Sequence, residues 1–335
     1  MKGAAGRVIL LFAMILTLQR PMWCEPAQDH WAILLSGISG DPDLQKEFLA
    51  WIKEIHAALR GPLQFPSEHV YVLFDDPSKD PTLIRYKSTR ENLESVCREI
   101  AGKARKEDLV FVFITGHGNF DGKVYKLNLP GPDPTAEELA AILYSIPAQR
   151  FVVANMTTCS GGSIPALSGK GKVIISATKS GMEKNQTQMG RFFAQAFKEG
   201  NADLDKNGRV SVLEAFNYAS LKVEEFYAKE GLLKTEHPVL EDDGDGQAQA
   251  SPGPENGEGL LARTTFLDAG SPRPAQGRRS PAEEALILET QSLEKQIEAL
   301  KYTKAEMSED EYEKKLEALL LRLAGINRKL QQTKD

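Results

Sequence analysis

Five apolar runs constrain this chain more than any other feature: HWAILLSG (30–37), EHVYVLFDD (68–76), DLVFVFITGHG (108–118), RFVVANMT (150–157) and GKVIISAT (171–178). They are rich in β-branched and aromatic residues, and they lack the strict alternation that would leave one face to water. Amphipathic helical patterns separate them, at 43–59, at 88–104 with Ser88 and Glu91 at capping-box spacing, and at 135–146. Near-continuous apolar strands divided by helices predict an α/β fold in three layers, a mostly parallel sheet covered by helices on both faces.

In such sheets reactive groups collect beyond the carboxyl ends of the strands. Two of those ends carry chemistry beside glycine: His117 in FITGHGNFDG and Cys159 in MTTCSGG. If the strands are neighbours, both side chains emerge on one rim. An ordinary thiol is mostly protonated at neutral pH, and an adjacent imidazole raises its thiolate fraction and later protonates the leaving amine. The amides of Gly118 and Cys159 are then candidates to stabilise an oxyanion. A lone Cys or lone His at a strand end is more often packing, and it is their joint occurrence, each flanked by glycine, that favours catalysis.

The chain has three cysteines, Cys24, Cys97 and Cys159, too few for a disulfide scaffold. Cys97 shares a helical face with Leu93, Val96 and Ile100 and reads as a buried packing thiol.

GHG followed by TTCSGG, each closing an apolar strand, resembles the caspase-like clan of cysteine peptidases, and within it the legumain family, including bacterial members. The resemblance spans about residues 30 to 240 and includes the VYVLFDD strand. It implies a caspase-like fold, His117 as general base, Cys159 as nucleophile, Gly118 as oxyanion donor, and protein or peptide substrates. One branch of the clan performs transamidation. Two positions depart from the family pattern. Ser39 stands about where an asparagine supports the histidine, and Thr157 stands where an acidic residue shapes an asparagine-selective pocket. The residue recognised before the scissile bond is therefore not legible. SATKSGMEKN offers Ser176, Lys179 and Glu183 as further candidates for a pocket wall.

A second motif has sharper spacing. DLDKNGRVSVLE places Asp203, Asp205 and Asn207 at alternate positions, Gly208 sixth, Ser211 ninth and Glu214 twelfth. That is the EF-hand loop pattern, with a backbone carbonyl from Arg209 at the seventh position and Ser211 acting through water. It predicts bound calcium, structural in role because no second such loop pairs with it. The acidic run at 241–246 has no glutamate at the right distance. No organic cofactor is expected. The rival to calcium is a solvated acidic turn.

The N-terminus, with Lys2 and Arg7 before an apolar run from Val8 to Leu18, reads as a secretory signal, so residues 1–29 are expected to comprise the signal and mature N-terminus of a secreted or periplasmic protein. No other segment is long and apolar enough to span a membrane. A net charge of -6 gives no general attraction to nucleic acid.

Residues 30–245 are expected to form the peptidase domain and 246–281, rich in glycine, proline and small polar residues, a flexible linker. LLARTTFL within it has the pattern of a short docking strand. Residues 282–335 read as a helical hairpin. Leu293, Ile297 and Leu300 face one way, and Tyr312, Leu316, Leu319, Leu323, Ile326 and Leu330 step by four and three along a coiled-coil seam through which the chain could self-associate. The leading expectation is an exported cysteine endopeptidase. The alternatives are a transamidase of the same clan and a catalytically inactive caspase-like module that binds protein or peptide.

Overall fold

The apolar runs become the centre of one sheet. A computed structural model describes residues 28–198, 202–268 and 281–332. In chain order it contains β1 (His30–Ser36), α1 (Pro42–Arg60), β2 (Val70–Phe74), β3 (Tyr86–Lys87), α2 (Arg90–Ala101), β4 (Leu109–Thr115), β5 (Gly118–Phe120) and β6 (Tyr125–Leu127). Then follow α3 (Ala136–Leu143), β7 (Arg150–Asn155), α4 (Ile164–Leu167), β8 (Lys172–Ser176), α5 (Met189–Ala196), α6 (Val212–Glu230), β9 (Val239–Glu241), α7 (Leu260–Thr264), α8 (Pro281–Tyr302) and α9 (Glu309–Gln332).

The seven-stranded sheet has the order β3-β2-β1-β4-β7-β8-β9. It is parallel except where β9 runs against β8. Alternate side chains divide its interior into two cores. Ala32, Leu34, Phe111, Phe113 and Val152 point to one face, where Phe48, Trp51, Phe193 and Phe216 of α1, α5 and α6 cover them. Ile33, Leu35, Val112 and Val153 point to the other, where Leu93, Ile100, Leu139 and Leu143 of α2 and α3 close the third layer. This is the expected three-layer α/β arrangement, with residues fully buried on both sides of each central strand.

Helix starts follow local chemistry. Asp41 caps α1 by accepting the Asp43 and Leu44 amides at 2.8 and 3.0 Å. The start expected at Ser88 shifts by one residue: Thr89 caps α2 by accepting the Asn92 amide, because the Ser88 amide is committed to the Phe74 carbonyl at 2.9 Å. Cys97 is buried on the inner face of α2, and burial pushes its thiol up to about 12.

The expected linker differs from what forms. Residues 246–268 are folded: Gln249 pairs with Leu240, Phe266 pairs with Ser211, and Ala262 and Leu267 are wholly buried. LLARTTFL supplies a helix, α7, where a docking strand was expected. Its start is capped from outside by Asp242, whose carboxylate accepts the Gly259 and Ala262 amides at 2.6 and 2.7 Å. Few apolar residues were needed, because a side chain on a neighbouring element satisfies the backbone. Residues 269–280 of the linker and 1–27 of the expected signal lie outside the described residues. Among the described residues no helix is long and apolar enough to cross a membrane.

The C-terminal hairpin forms from α8 and α9. Leu293, Ile297, Leu300 and Ile326 are buried, and Tyr312, Leu316, Leu319, Leu323 and Leu330 are each half-buried. The hairpin also docks on the preceding domain, where the Tyr302 hydroxyl donates to the Glu258 carbonyl at 2.8 Å and Arg263 lies 3.2 Å from Glu298.

Candidate active site

Strands β4 and β7 are neighbours, paired in register as far as Ile114 opposite Asn155, so their carboxyl ends reach the same rim. His117 follows one end and Cys159 the other. The two turns are stitched together: the Gly118 amide donates to the Thr158 hydroxyl at 3.0 Å, and that hydroxyl donates to the Gly118 carbonyl at 2.9 Å.

The imidazole is held from the β1 side. His117 Nε2 lies 3.1 Å from the Ser39 carbonyl, and Phe48 meets the ring edge-on at 5.8 Å. A carbonyl only accepts, so Nε2 carries the proton in this contact and Nδ1 keeps a lone pair able to act as base. Ser39 is itself anchored, with its amide and hydroxyl both donating to Asp75 Oδ2, at 3.1 and 2.8 Å. Gln45 donates to the other Asp75 oxygen at 3.1 Å. Ser39 thus supports the histidine through its carbonyl and stands behind it instead of lining a pocket; it is 2% exposed.

Cys159 occupies the left-handed region at φ 59°, a conformation that costs a non-glycine residue about 1 kcal/mol or more and persists only where its surroundings enforce it. Those surroundings are visible. Its amide donates to the Glu183 carbonyl at 2.8 Å, and its carbonyl accepts the Gly162 amide at 2.9 Å. A Cβ on Gly161 would overlap the Ser180 backbone, so only glycine lets the 179–183 loop lie this close. Burial pushes the Cys159 thiol up, against opposing pulls from the Lys184 charge, the Thr158 hydroxyl and the Phe120 backbone. No hydrogen bond joins Cys159 to His117 among the described residues.

Several expected roles change. Thr157 is fully buried and bonds to Asn155 Oδ1 at 2.8 Å and the Tyr125 hydroxyl at 2.7 Å, so it braces the turn from within and cannot touch a substrate. Ser176 is equally buried; its hydroxyl donates to the Thr178 carbonyl at 2.7 Å and lies 2.8 Å from Ser160 Oγ. Glu183 is committed to His237 Nδ1 at 2.6 Å and to the amides of Lys179 and His237, both at 3.1 Å. Of the pocket candidates only Lys179 presents an exposed side chain. The two expected oxyanion donors, Gly118 and Cys159, both spend their amides on internal acceptors in this conformation.

Sequence reasoning passed over Asp75, Tyr125, Asn155 and Ser163, which fix the histidine and the Cys159 turn. The doubled aspartate closing VYVLFDD was the only hint of the first. Nothing one-dimensional signals the others, since Asn155 reaches Ser163 at 3.0 Å and Tyr125 at 3.3 Å only through the tertiary fold.

The loop at 203–214 gathers as its spacing predicts. Carboxylate oxygens of Asp203, Asp205 and Glu214 lie within 4.8 Å of one another, and Gly208 turns the chain at φ +84°. Asn207 Oδ1 accepts the Arg209 amide at 2.8 Å. The Arg209 guanidinium turns away to Asp268 and the Phe266 ring, leaving its backbone to the loop. Ser211 caps α6 and donates to Glu214 Oε2 at 2.8 Å, so its hydroxyl is already engaged. Burial, reinforced by Glu214 and Asp203, holds the Asp205 carboxyl above its usual range. This cluster can hold a metal ion.

No protein-family model matches the chain, and no curated protein matches it.

Proposed function

We propose that the protein is an exported cysteine endopeptidase of the caspase-like, legumain-resembling kind, with Cys159 as nucleophile and His117 as general base. The observation that carries this reading is the pairing of a thiol in enforced left-handed backbone with a histidine whose Nε2 is fixed on a carbonyl, both on one sheet rim. His117 Nδ1 takes the thiol proton as Sγ attacks the peptide carbonyl, and returns it to the leaving amine as the tetrahedral species collapses to the thioester. Water, or an amine in a transamidase, then releases the acyl group. Asp75 positions Ser39, and Ser39 positions the imidazole. Calcium at Asp203, Asp205, Asn207, the Arg209 carbonyl and Glu214 has a structural role, fixing the start of α6.

A second reading, a peptide-binding module without turnover, is favoured by one observation. The Gly118 and Cys159 amides are both engaged, so an oxyanion finds no free donor until the Thr158 hydroxyl and the Glu183 carbonyl move away.

A peptide-library digest under reducing conditions with calcium present separates the readings. Wild type and Cys97→Ala cleave; Cys159→Ala and His117→Ala lose about a thousandfold or more in turnover. Cleavage surviving in Cys159→Ala refutes the mechanism, and peptide binding without cleavage by wild type selects the module.

A further inference from the structure

The acidic run at 241–246 repeats the plan of the loop at 203–214. Glu241, Asp243 and Asp245 take alternate positions, with Gly246 sixth at φ +81°. The hydrogen bonds correspond too: the sixth amide reaches the first carboxylate in both loops, Gly208 to Asp203 at 2.9 Å and Gly246 to Glu241 at 3.3 Å. The seventh amide reaches the fifth side chain, Arg209 to Asn207 at 2.8 Å and Gln247 to Asp245 at 2.6 Å. At the twelfth position stands Pro252, which offers no carboxylate. The fold supplies one from further along. Glu258, just before α7, brings an oxygen into a group in which Glu241, Asp243, Asp245 and Glu258 each place one within 4.8 Å of the rest.

Geometry alone would leave this an acidic turn, but the burial of Glu241 does not. Its side chain is 0% exposed; Oε1 accepts the Gly244 and Gly246 amides, while Oε2 is buried without a hydrogen-bond partner. The Ser168 hydroxyl comes within reach of the Glu241 carboxylate, but its single proton goes to the Ile164 carbonyl at 2.7 Å. Lys172, whose charge interacts with Glu241, sits on the face of the Tyr144 ring at 3.4 Å. Glu258 is 1% exposed, and one of its oxygens accepts the Asp242 amide at 2.7 Å. Among the described residues no lysine or arginine forms an ion pair with any of the four carboxylates. Two buried carboxylates and two exposed ones, met only by backbone amides and the Lys172 charge, make an arrangement that protein groups compensate in part.

We propose that Glu241, Asp243, Asp245 and Glu258 form a second calcium site. All four donors are carboxylate oxygens, which suit a hard divalent cation and not the softer metals held by Cys or His. The irregular, glycine-turned loop suits the flexible coordination of calcium better than the strict octahedron of magnesium. The site joins the end of β9 to the start of α7, and its glycines lie against Gly169, Lys170 and Pro165, in the segment that follows the Cys159 turn.

The test is calcium stoichiometry of the full chain by isothermal titration with calcium chloride. Four forms are compared: wild type, Asp243→Asn/Asp245→Asn, Glu241→Gln/Glu258→Gln, and Asp205→Asn/Glu214→Gln. The exposed pair Asp243 and Asp245 provides a variant that leaves the core untouched. Two ions per wild-type chain are expected, falling to one in each double variant. In chelator, Glu241→Gln/Glu258→Gln should melt at or above wild type; in calcium it should melt below. A wild type binding one ion that is lost with both Asp243→Asn/Asp245→Asn and Glu241→Gln/Glu258→Gln, and kept with Asp205→Asn/Glu214→Gln, supports this site and sinks the 203–214 site instead. A wild type binding no ion, or one that only Asp205→Asn/Glu214→Gln removes, overturns the proposal.

Discussion

Around the Cys159 turn, the buried hydroxyls that brace it are answered by protein: Thr157 by Asn155 and Tyr125, Ser163 by the Ser160 carbonyl, Ser176 by Ser160 and Thr178. At the acidic edge, where β9 runs into the loop before α7, Glu241 keeps one buried oxygen with no donor. The difference lies in what each region needs from outside. A network of neutral hydroxyls and amides closes on itself and fixes the left-handed Cys159 without further help. A group of carboxylates cannot close on itself, because each added member brings more charge of the same sign. Not every buried carboxylate belongs to the second kind. Glu236 is also wholly buried, yet it accepts the Gln188 and Met189 amides at 2.7 and 3.1 Å at the start of α5.

Glu236 therefore offers the largest test of the contrast. Burial raises its carboxyl from the usual 4.5 to about 7. The native state then binds a proton more tightly than the unfolded chain, so the contribution of Glu236 to stability is greatest below pH 4.5 and is lost as pH rises through about 7. The span amounts to about 3 kcal/mol at most. Glu236→Gln should flatten the stability curve between these pH values, and equally so in calcium and in chelator. Denaturant titrations across the window check this. A flattening seen only in chelator would place Glu236 with the metal-dependent carboxylates and break the distinction.

Gly161 probes the closed network. Its replacement by alanine forces the 179–183 loop off the Cys159 turn, which overpacking costs of about 1–3 kcal/mol describe. Turnover should fall with stability, since the displaced loop no longer enforces the left-handed backbone of Cys159. An alanine variant that melts like wild type and still turns over would show that the turn is not held from that side.

How much of this could be read from the sequence depends on the range over which each feature is decided. The central strands are legible because a doubly covered parallel strand writes its burial into consecutive residues, as Val110 to Ile114 do. His117 and Cys159 are legible because topology alone sends strand ends to one rim. The hairpin of β5 and β6 is not, since three residues on each side give no period to detect. Nor are the partners of the site. Asp75 reaches Ser39 and Tyr125 reaches Thr157 only after the sheet has formed. The folding of 246–268 was hidden for the same reason: its composition is that of a linker, and the cap from Asp242 and the contact from Tyr302 come from outside the segment.

Tyr302 gives the smallest effect and bears on how far the acidic edge depends on the hairpin. Its hydroxyl donates to the carbonyl of Glu258, the residue that completes the second carboxylate group, and burial pushes that hydroxyl up to about 12, so it remains a donor throughout the working range of pH. Tyr302→Phe keeps the ring in place and removes only the donor, leaving the Glu258 carbonyl short of a partner at a cost of about 1 kcal/mol. The expected signature is a small drop in midpoint together with faster proteolysis between α7 and α8. If the hairpin were an independent appendage, the substitution would change neither, and removing α8 and α9 altogether would leave calcium stoichiometry as it was. If Glu258 is instead held in place through this bond, the same substitution weakens calcium binding at 241–258 while leaving the loop at 203–214 unaffected.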